Sequence, residues 1–289
     1  MNKYTMMTAS SCDLPQWKLD EIGVDVVMLT VDLDGKNYVN YADWREIDPH
    51  TFYDELRAGK PAKTSAANVD QFKEAMIPHL EAGEDILYVG FSTGLSGTFN
   101  AGRVAGEELS EKYPDRKIIA VDSLCASLGQ GMLVDMAAEQ LAKGATIEEN
   151  ARFCEENRLR VCHWFTVDDL FYLHRGGRVS KTTAIVGSAL GIKPIMYVDD
   201  EGHLLKAEVA RGRKNSIKRL VEKMRESYKS LDRVYIVHGD CLDDAKLLES
   251  MVEKEFGVKN ILINYNGPVI GAHSGPGTLA LFFIADKRI

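Results

Sequence analysis

The sequence predicts an α/β protein of two domains. Residues 1–158 form a mainly parallel sheet with helices on both faces, and residues 159–289 form a second α/β domain with a mixed sheet. Three observations lead there. Short apolar runs alternate with helical patterns through the first half, the rhythm of strand–helix–strand units. The pattern resets near residues 157–160, where we place the boundary. The 289 residues are enough for two separate cores.

Taken in order, residues 3–8 read as a first strand that runs into the polar turn Ser10-Ser11-Cys12-Asp13-Leu14-Pro15. Its hydroxyls and carboxylate fit the mouth of an open α/β sheet, where ligands bind, and they fit a helix cap equally well. Residues 24–31 read as a second strand, and Asp34-Gly35 marks a hairpin turn. That turn resembles the start of a calcium loop, but the later ligands are missing. Asp48-Pro49 opens a helix through Leu56, with Asp as cap and Pro in the first turn. The polar loop Lys63-Thr64-Ser65-Ala66-Ala67-Asn68 precedes a helix over 69–80, and capping by Asn68 explains part of it. A strand at 85–90 leads into Phe91-Ser92-Thr93-Gly94-Leu95-Ser96-Gly97-Thr98 and a helix over 99–112. Hydroxyls and backbone N–H groups at a helix start make an anion cradle, here without a Walker A or GxGxxG pattern. A strand at 117–121 ends in Asp122-Ser123, with a helix over 129–143 behind it, and Thr146 with Glu149 has capping-box spacing.

The second half begins with a strand at 160–165 and a brief helix at 168–173. The turn His174-Arg175-Gly176-Gly177-Arg178 follows, able to aim a guanidinium inward or simply to expose it to solvent. Strands at 192–197 and 204–209, a helix carrying Ile217, Leu220, Val221, Met224 and Tyr228 on one face, a strand at 234–238, a helix at 243–256 and a strand at 259–263 complete the pattern. The segment Gly267-Pro268-Val269-Ile270-Gly271-Ala272-His273-Ser274-Gly275-Pro276-Gly277-Thr278 lies between apolar runs that read as buried strands. It is either a plain strand–turn–strand crossing or a glycine-rich binding loop around one histidine.

Composition narrows the function. The net charge of −8 argues against a broad nucleic-acid surface. No apolar run reaches the roughly 18 residues of a membrane span, so no integral membrane segment is expected. The N-terminus lacks the apolar region of a signal peptide. The five cysteines show no CxxC pair, as expected of reduced thiols in a cytoplasmic protein. No histidine spacing suggests a metal site, and no GxSxG elbow suggests a hydrolase. Residues alone therefore give an α/β protein with hydroxyl-lined loops, an arginine turn and a histidine loop, suited to a carboxylate or a phosphate.

Ser10-Ser11-Cys12-Asp13-Leu14-Pro15, Thr64-Ser65 with Phe72, Ser92 through Thr98, Val121-Asp122-Ser123, Tyr172 through Arg178, Lys193-Pro194 and Gly267 through Gly277 resemble successive motifs of the DegV family. The resemblance covers essentially the whole chain. It implies a bacterial fatty-acid-binding protein that buries a long-chain fatty acid, needing no other cofactor. A separate fatty acid kinase would phosphorylate the carboxylate with ATP, giving acyl-phosphate for phospholipid synthesis. Transient membrane contact would exchange the lipid. On matching positions it implies that Thr64 and Ser96 bind the carboxylate and that His273 orients it. Arg178, with His273, would support phosphoryl transfer or kinase docking, while Ser65, Gly97, Thr98 and Ser11 belong to the supporting loops. Five positions at three places depart from the family's usual residues: Ala66-Ala67-Asn68 in place of Gln-Pro-Ser, Thr93 in place of Ser, and Ala280 in place of Gly. The competing reading is a stand-alone acyl esterase or phosphotransferase with Ser96 as nucleophile and His273 as base; turnover without a partner protein separates the two.

Overall fold

The computed structural model describes residues 3–182, 191–229 and 233–288. Strand β1 (Tyr4–Ala9) is followed by β2 (Asp25–Val27), β3 (Thr30–Leu33), β4 (Lys36–Val39), β5 (Ala62–Ser65), β6 (Asp85–Gly90) and β7 (Ile118–Asp122). Four of these form a fully parallel sheet in the order β2-β1-β6-β7. Alternation along its strands sends side chains to two cores. Met7, Ile86 and Tyr88 meet Phe72 and Met76 of the helix Val69–Glu81 and Phe99 and Leu109 of the helix Thr98–Lys112. Met6, Leu87 and Val89 point the other way, toward the helices Leu128–Ala142 and Ile147–Asn157. Helices therefore cover both faces.

The second half contributes β8 (Val161–Thr166), β9 (Ile192–Val198), β10 (Leu204–Arg211), β11 (Val234–His238), β12 (Ile261–Tyr265) and β13 (Leu279–Ile284). They make one mixed sheet in the order β10-β9-β8-β13-β11-β12, in which β11 and β12 pair in parallel and the other pairs are antiparallel. Its outer face, with Cys162, Trp164, Ile236 and Phe283, packs on the helices Arg213–Ser227 and Leu242–Phe256. Its inner face turns Phe165, Val237 and Phe282 toward the helix Leu128–Ala142. That helix is buried continuously from Leu128 to Ala138, as expected of a helix apolar on all sides with sheets on either flank. Division of the chain at 158/159 is our proposal; the core around this helix draws residues from both sides of it.

Caps form where the sequence places them. Asp48 accepts from Thr51 N at 3.0 Å, and Asn68 with Gln71 and Thr146 with Glu149 close capping boxes. Three expectations need correction. Residues 24–31 are not one strand: β2 belongs to the parallel sheet, whereas β3 pairs with β4 and β5 in a separate antiparallel sheet, order β4-β3-β5. The break lies where Ser10 Oγ accepts the N–H of Leu29 at 3.0 Å. Residues 62–65 are strand rather than loop, because β3 offers them a partner edge. The segment 267–278 is neither a plain crossing nor an open loop: Pro268–Ser274 is helical, started by Pro at its first turn and stopped at Gly275 with φ 80°.

Candidate functional site

The candidate site is a cavity of about 260 Å³ between the inner face of the mixed sheet and the loops at the ends of β6 and β7. Phe165, Val198, Leu204, Val237 and Phe282 supply apolar walls. Thr64, Ser96, Arg178 and His273 all line it, and the structure gathers them from four separate elements.

Thr64 sits on β5, paired opposite Val31. Period-two alternation aims Thr64 and Ala66 at the cavity, whereas Ser65 is exposed and does not line it. His273 occupies the last turn of the helix Pro268–Ser274. Its Nε2 lies 2.8 Å from Thr64 Oγ1, a contact that spans 209 positions of sequence. Burial first, and then the nearby Arg178 cation, push the imidazole down to about 4, so it is neutral at physiological pH. A Cβ on Gly176 would overlap His273 Nδ1, so only glycine lets the turn close on the ring.

Arg178 follows the short helix Phe171–Arg175 and the turn at Gly177, where φ is 77°. The guanidinium is half-buried; its Nε donates to Leu95 O at 3.2 Å and its Nη1 donates to Gly176 O. The first bond ties the arginine turn to the loop that carries Ser96, the second closes the turn on itself, and burial lowers the pKa of the group. Ser96 Oγ accepts from Thr98 N at 3.2 Å and lies 3.0 Å from Thr98 Oγ1. Gly97 caps the 15-residue helix Thr98–Lys112, whose positive end therefore opens beside the cavity. Ser11 also lines the cavity, but its hydroxyl donates to Gln130 Oε1 at 3.1 Å. Thr93, one of the departures, binds Asp122 through Oγ1 at 2.6 Å, so its hydroxyl serves the loop rather than a ligand.

Other residues at the cavity are not singled out as site residues by the sequence, although Ser274 belongs to the glycine-rich segment 267–278. Ser127, Asn266 and Ser274 line it; Asn266 Nδ2 donates to Ser274 Oγ at 2.7 Å, and Ser127 Oγ donates to Asp13 Oδ2 at 2.5 Å. His163 lines the wall with both nitrogens engaged, Nδ1 at 2.9 Å from Val161 O and Nε2 accepting from Ala126 N at 3.2 Å. Among the described residues, no group of His, Cys, Asp and Glu is placed to hold a metal ion, and no helix is long and apolar enough to cross a membrane. The arrangement suits an amphipathic anion, with hydroxyl, imidazole and guanidinium for its head and aromatic and aliphatic walls for its tail.

The family model described as "Uncharacterised protein, DegV family" matches residues 3–286. A DegV domain-containing protein of Clostridium perfringens is 42% identical over 290 residues, covering 100% of this chain and 99% of that protein. A solved structure of a DegV family protein from Thermus thermophilus, described by its fatty acid binding, is 31% identical with a TM-score of 0.87. It covers 98% of this chain and 99% of its own. The Streptococcus pneumoniae Fatty Acid Kinase (Fak) B3 protein, loaded with linoleic acid, superposes with a TM-score of 0.86 over 98% of this chain and 100% of its own. At 20% identity that likeness is one of fold.

Proposed function

The chain belongs to the DegV family, and we propose that it binds one long-chain fatty acid in this cavity and presents the carboxylate to a partner kinase. The observation that carries the reading is the Thr64–His273 pair, 2.8 Å apart, set beside Arg178 in a cavity whose other walls are mainly apolar. Each buried methylene contributes about 0.8 kcal/mol, so the tail supplies affinity while the head-group contacts fix orientation. Thr64 and Ser96 donate hydroxyls to the carboxylate, and neutral His273 places the Thr64 hydroxyl.

The kinase half of the reading rests on the motif resemblance and on the chemistry of the head group. A carboxylate is already a nucleophile at neutral pH and needs no base. Its oxygen bonds to the γ-phosphorus of ATP, the bond from that phosphorus to ADP breaks, and ADP leaves. Charge builds on the phosphoryl oxygens as this happens, and Arg178, which lines the cavity, is the cation we assign to offset it. The esterase alternative finds no observation in its favour: the hydroxyl at His273 belongs to Thr64, and the side-chain partner of the Ser96 hydroxyl is Thr98.

The test is mass spectrometry of lipid extracted from natively purified protein, followed by incubation with ATP and the cognate kinase. A stoichiometric long-chain fatty acid, converted to acyl-phosphate only when kinase is present, is the expected result. Empty protein that takes up no added fatty acid would overturn the binding half. Acyl-ester turnover by the protein alone would replace the carrier reading with the enzyme reading.

A further inference from the structure

Asp13 has no task in the function proposed above, yet it reaches the site from an unexpected side. It ends the turn Ser10–Cys12 in a left-handed backbone conformation, φ 53°. Its side chain is buried. Its Oδ1 accepts the N–H of Gly267 at 3.1 Å, its Oδ2 accepts from Ser127 Oγ at 2.5 Å, and its carbonyl accepts from Asn264 Nδ2 at 2.8 Å. These partners lie far apart in sequence. Ser127, itself at φ 52°, precedes the helix Leu128–Ala142 and lines the cavity. Gly267 caps the seven-residue helix Pro268–Ser274 that ends in His273 and Ser274. The fit at Gly267 is close: a Cβ there would stand 2.5 Å from Asp13 Oδ1.

At roughly 1.5 Å of rise per residue, the cap Gly267 is about 9 Å along the axis from His273, and so short a helix moves as a rod. A displaced first turn therefore displaces the imidazole. Neighbouring bonds agree with a clamp at this point. Tyr53 donates to Asn266 O at 2.7 Å, and Asn266 in turn holds Ser274 beside His273. Asp13 supplies the carboxyl group of this set, and its bonds run from the N-terminal sheet to the helix that carries the histidine.

We propose that Asp13 is a positioning residue for the fatty-acid head group: by holding Gly267 and Ser127, it fixes the helix that presents His273 to Thr64. The proposal rests on the reading of the cavity as a fatty-acid site. Its test is a double-mutant cycle on full-length, delipidated protein, with palmitate binding measured by calorimetry and the ring nitrogens of His273 followed by NMR in ligand-free protein. Asp13→Ala is expected to weaken palmitate binding roughly tenfold, the scale of one lost head-group hydrogen bond, and to shift the His273 resonances. Asp13→Asn restores both, because an amide still accepts from Gly267 and donates to Ser127. In the His273→Ala background the Asp13→Ala loss disappears, since no imidazole remains to be placed; a purely structural residue gives the same loss in both backgrounds. If Asp13→Ala does not fold, Gly267→Ala enters the same cycle, its backbone at φ −58° and ψ 159° being open to alanine. Equal losses with and without His273, or wild-type affinity with unmoved His273 resonances, would overturn the proposal. Should the wild type not bind palmitate, the fatty-acid reading fails, and the His273 resonances alone decide the role of Asp13.

Discussion

Replacing Thr64 by valine removes one hydroxyl and leaves the shape of the side chain nearly unchanged. Valine suits a strand, so β5 keeps its pairing with β3 through Val31. Thr64 Oγ1 and His273 Nε2 lie within hydrogen-bond distance, 2.8 Å apart. On the proposed reading this hydroxyl donates to the carboxylate of the fatty acid, and a hydrogen bond to a charged group is worth about 1.5–3 kcal/mol. Palmitate affinity is therefore expected to fall by about ten- to a hundredfold. Calorimetry on delipidated protein reads the affinity, and a melting curve shows that the variant is folded. Thr64→Ser, which keeps the hydroxyl and loses only a methyl, should recover most of the binding. Wild-type affinity in a folded Thr64→Val protein would place the head group elsewhere. Equal losses in the valine and serine variants would show that packing matters rather than the hydroxyl.

Three further outcomes follow from the same geometry. Arg178→Ala should leave palmitate affinity within a few-fold and slow acyl-phosphate formation by about a hundredfold or more, the usual scale for a group that acts on transition-state charge; an unchanged rate at saturating kinase and ATP would confine Arg178 to tying Leu95 to its own turn. Gly176→Ala meets no backbone strain at φ −72° but overlaps His273 Nδ1, so palmitate affinity should drop about tenfold, the scale of one head-group hydrogen bond, while the melting temperature moves little; unchanged affinity would mean the ring relocates freely. Burial raises Asp13 to about 7 in the folded protein, and the Cys12 thiol and Tyr53 phenol that face it are raised too and stay neutral. The folded state therefore binds the extra proton at Asp13, whose own contribution to stability is fully present below about pH 4 and is lost as pH rises to about 7, by up to ~4 kcal/mol. The buried imidazoles of His163, His238 and His273, held neutral, act in the opposite direction. Asp13→Asn should remove the Asp13 part alone, so that from pH 5 to pH 7.5 its urea unfolding free energy changes more in favour of folding than that of the wild type, and an equal change in the two proteins would show that Asp13 ionises freely.

Local chemistry made the first half of the chain legible. Asp48, Asn68 and Thr146 were readable as caps because a cap is a bond within three residues, and each makes it. The parallel sheet was readable because its strands and helices differ in period. Features set by distant partners were hidden. Ala62–Ser65 is too short and polar to announce a strand, and only the edge of β3 makes it one. The helix Pro268–Ser274 was masked by glycines that read as loop, although Pro at its start and Gly at its end are ordinary helix limits. Motif resemblance pointed to Thr64, Ser96, Arg178 and His273, but nothing local could say which of them touch.

The same limit explains the N-terminal turn. Residues 10–15 read equally as ligand site and as helix cap, and Asp13 does neither directly. The helix Gln16–Ile22 that follows begins without a side-chain cap, and the carboxylate is spent instead on Ser127 and Gly267. A carboxylate committed to positions more than a hundred residues away leaves no trace in the spacing around it. What the sequence does carry is the other half of each contact: a glycine at 267 where a side chain would strike the carboxylate, and a glycine at 176 where one would strike the histidine. Those two positions, more than the polar residues themselves, mark where the distant elements close on each other.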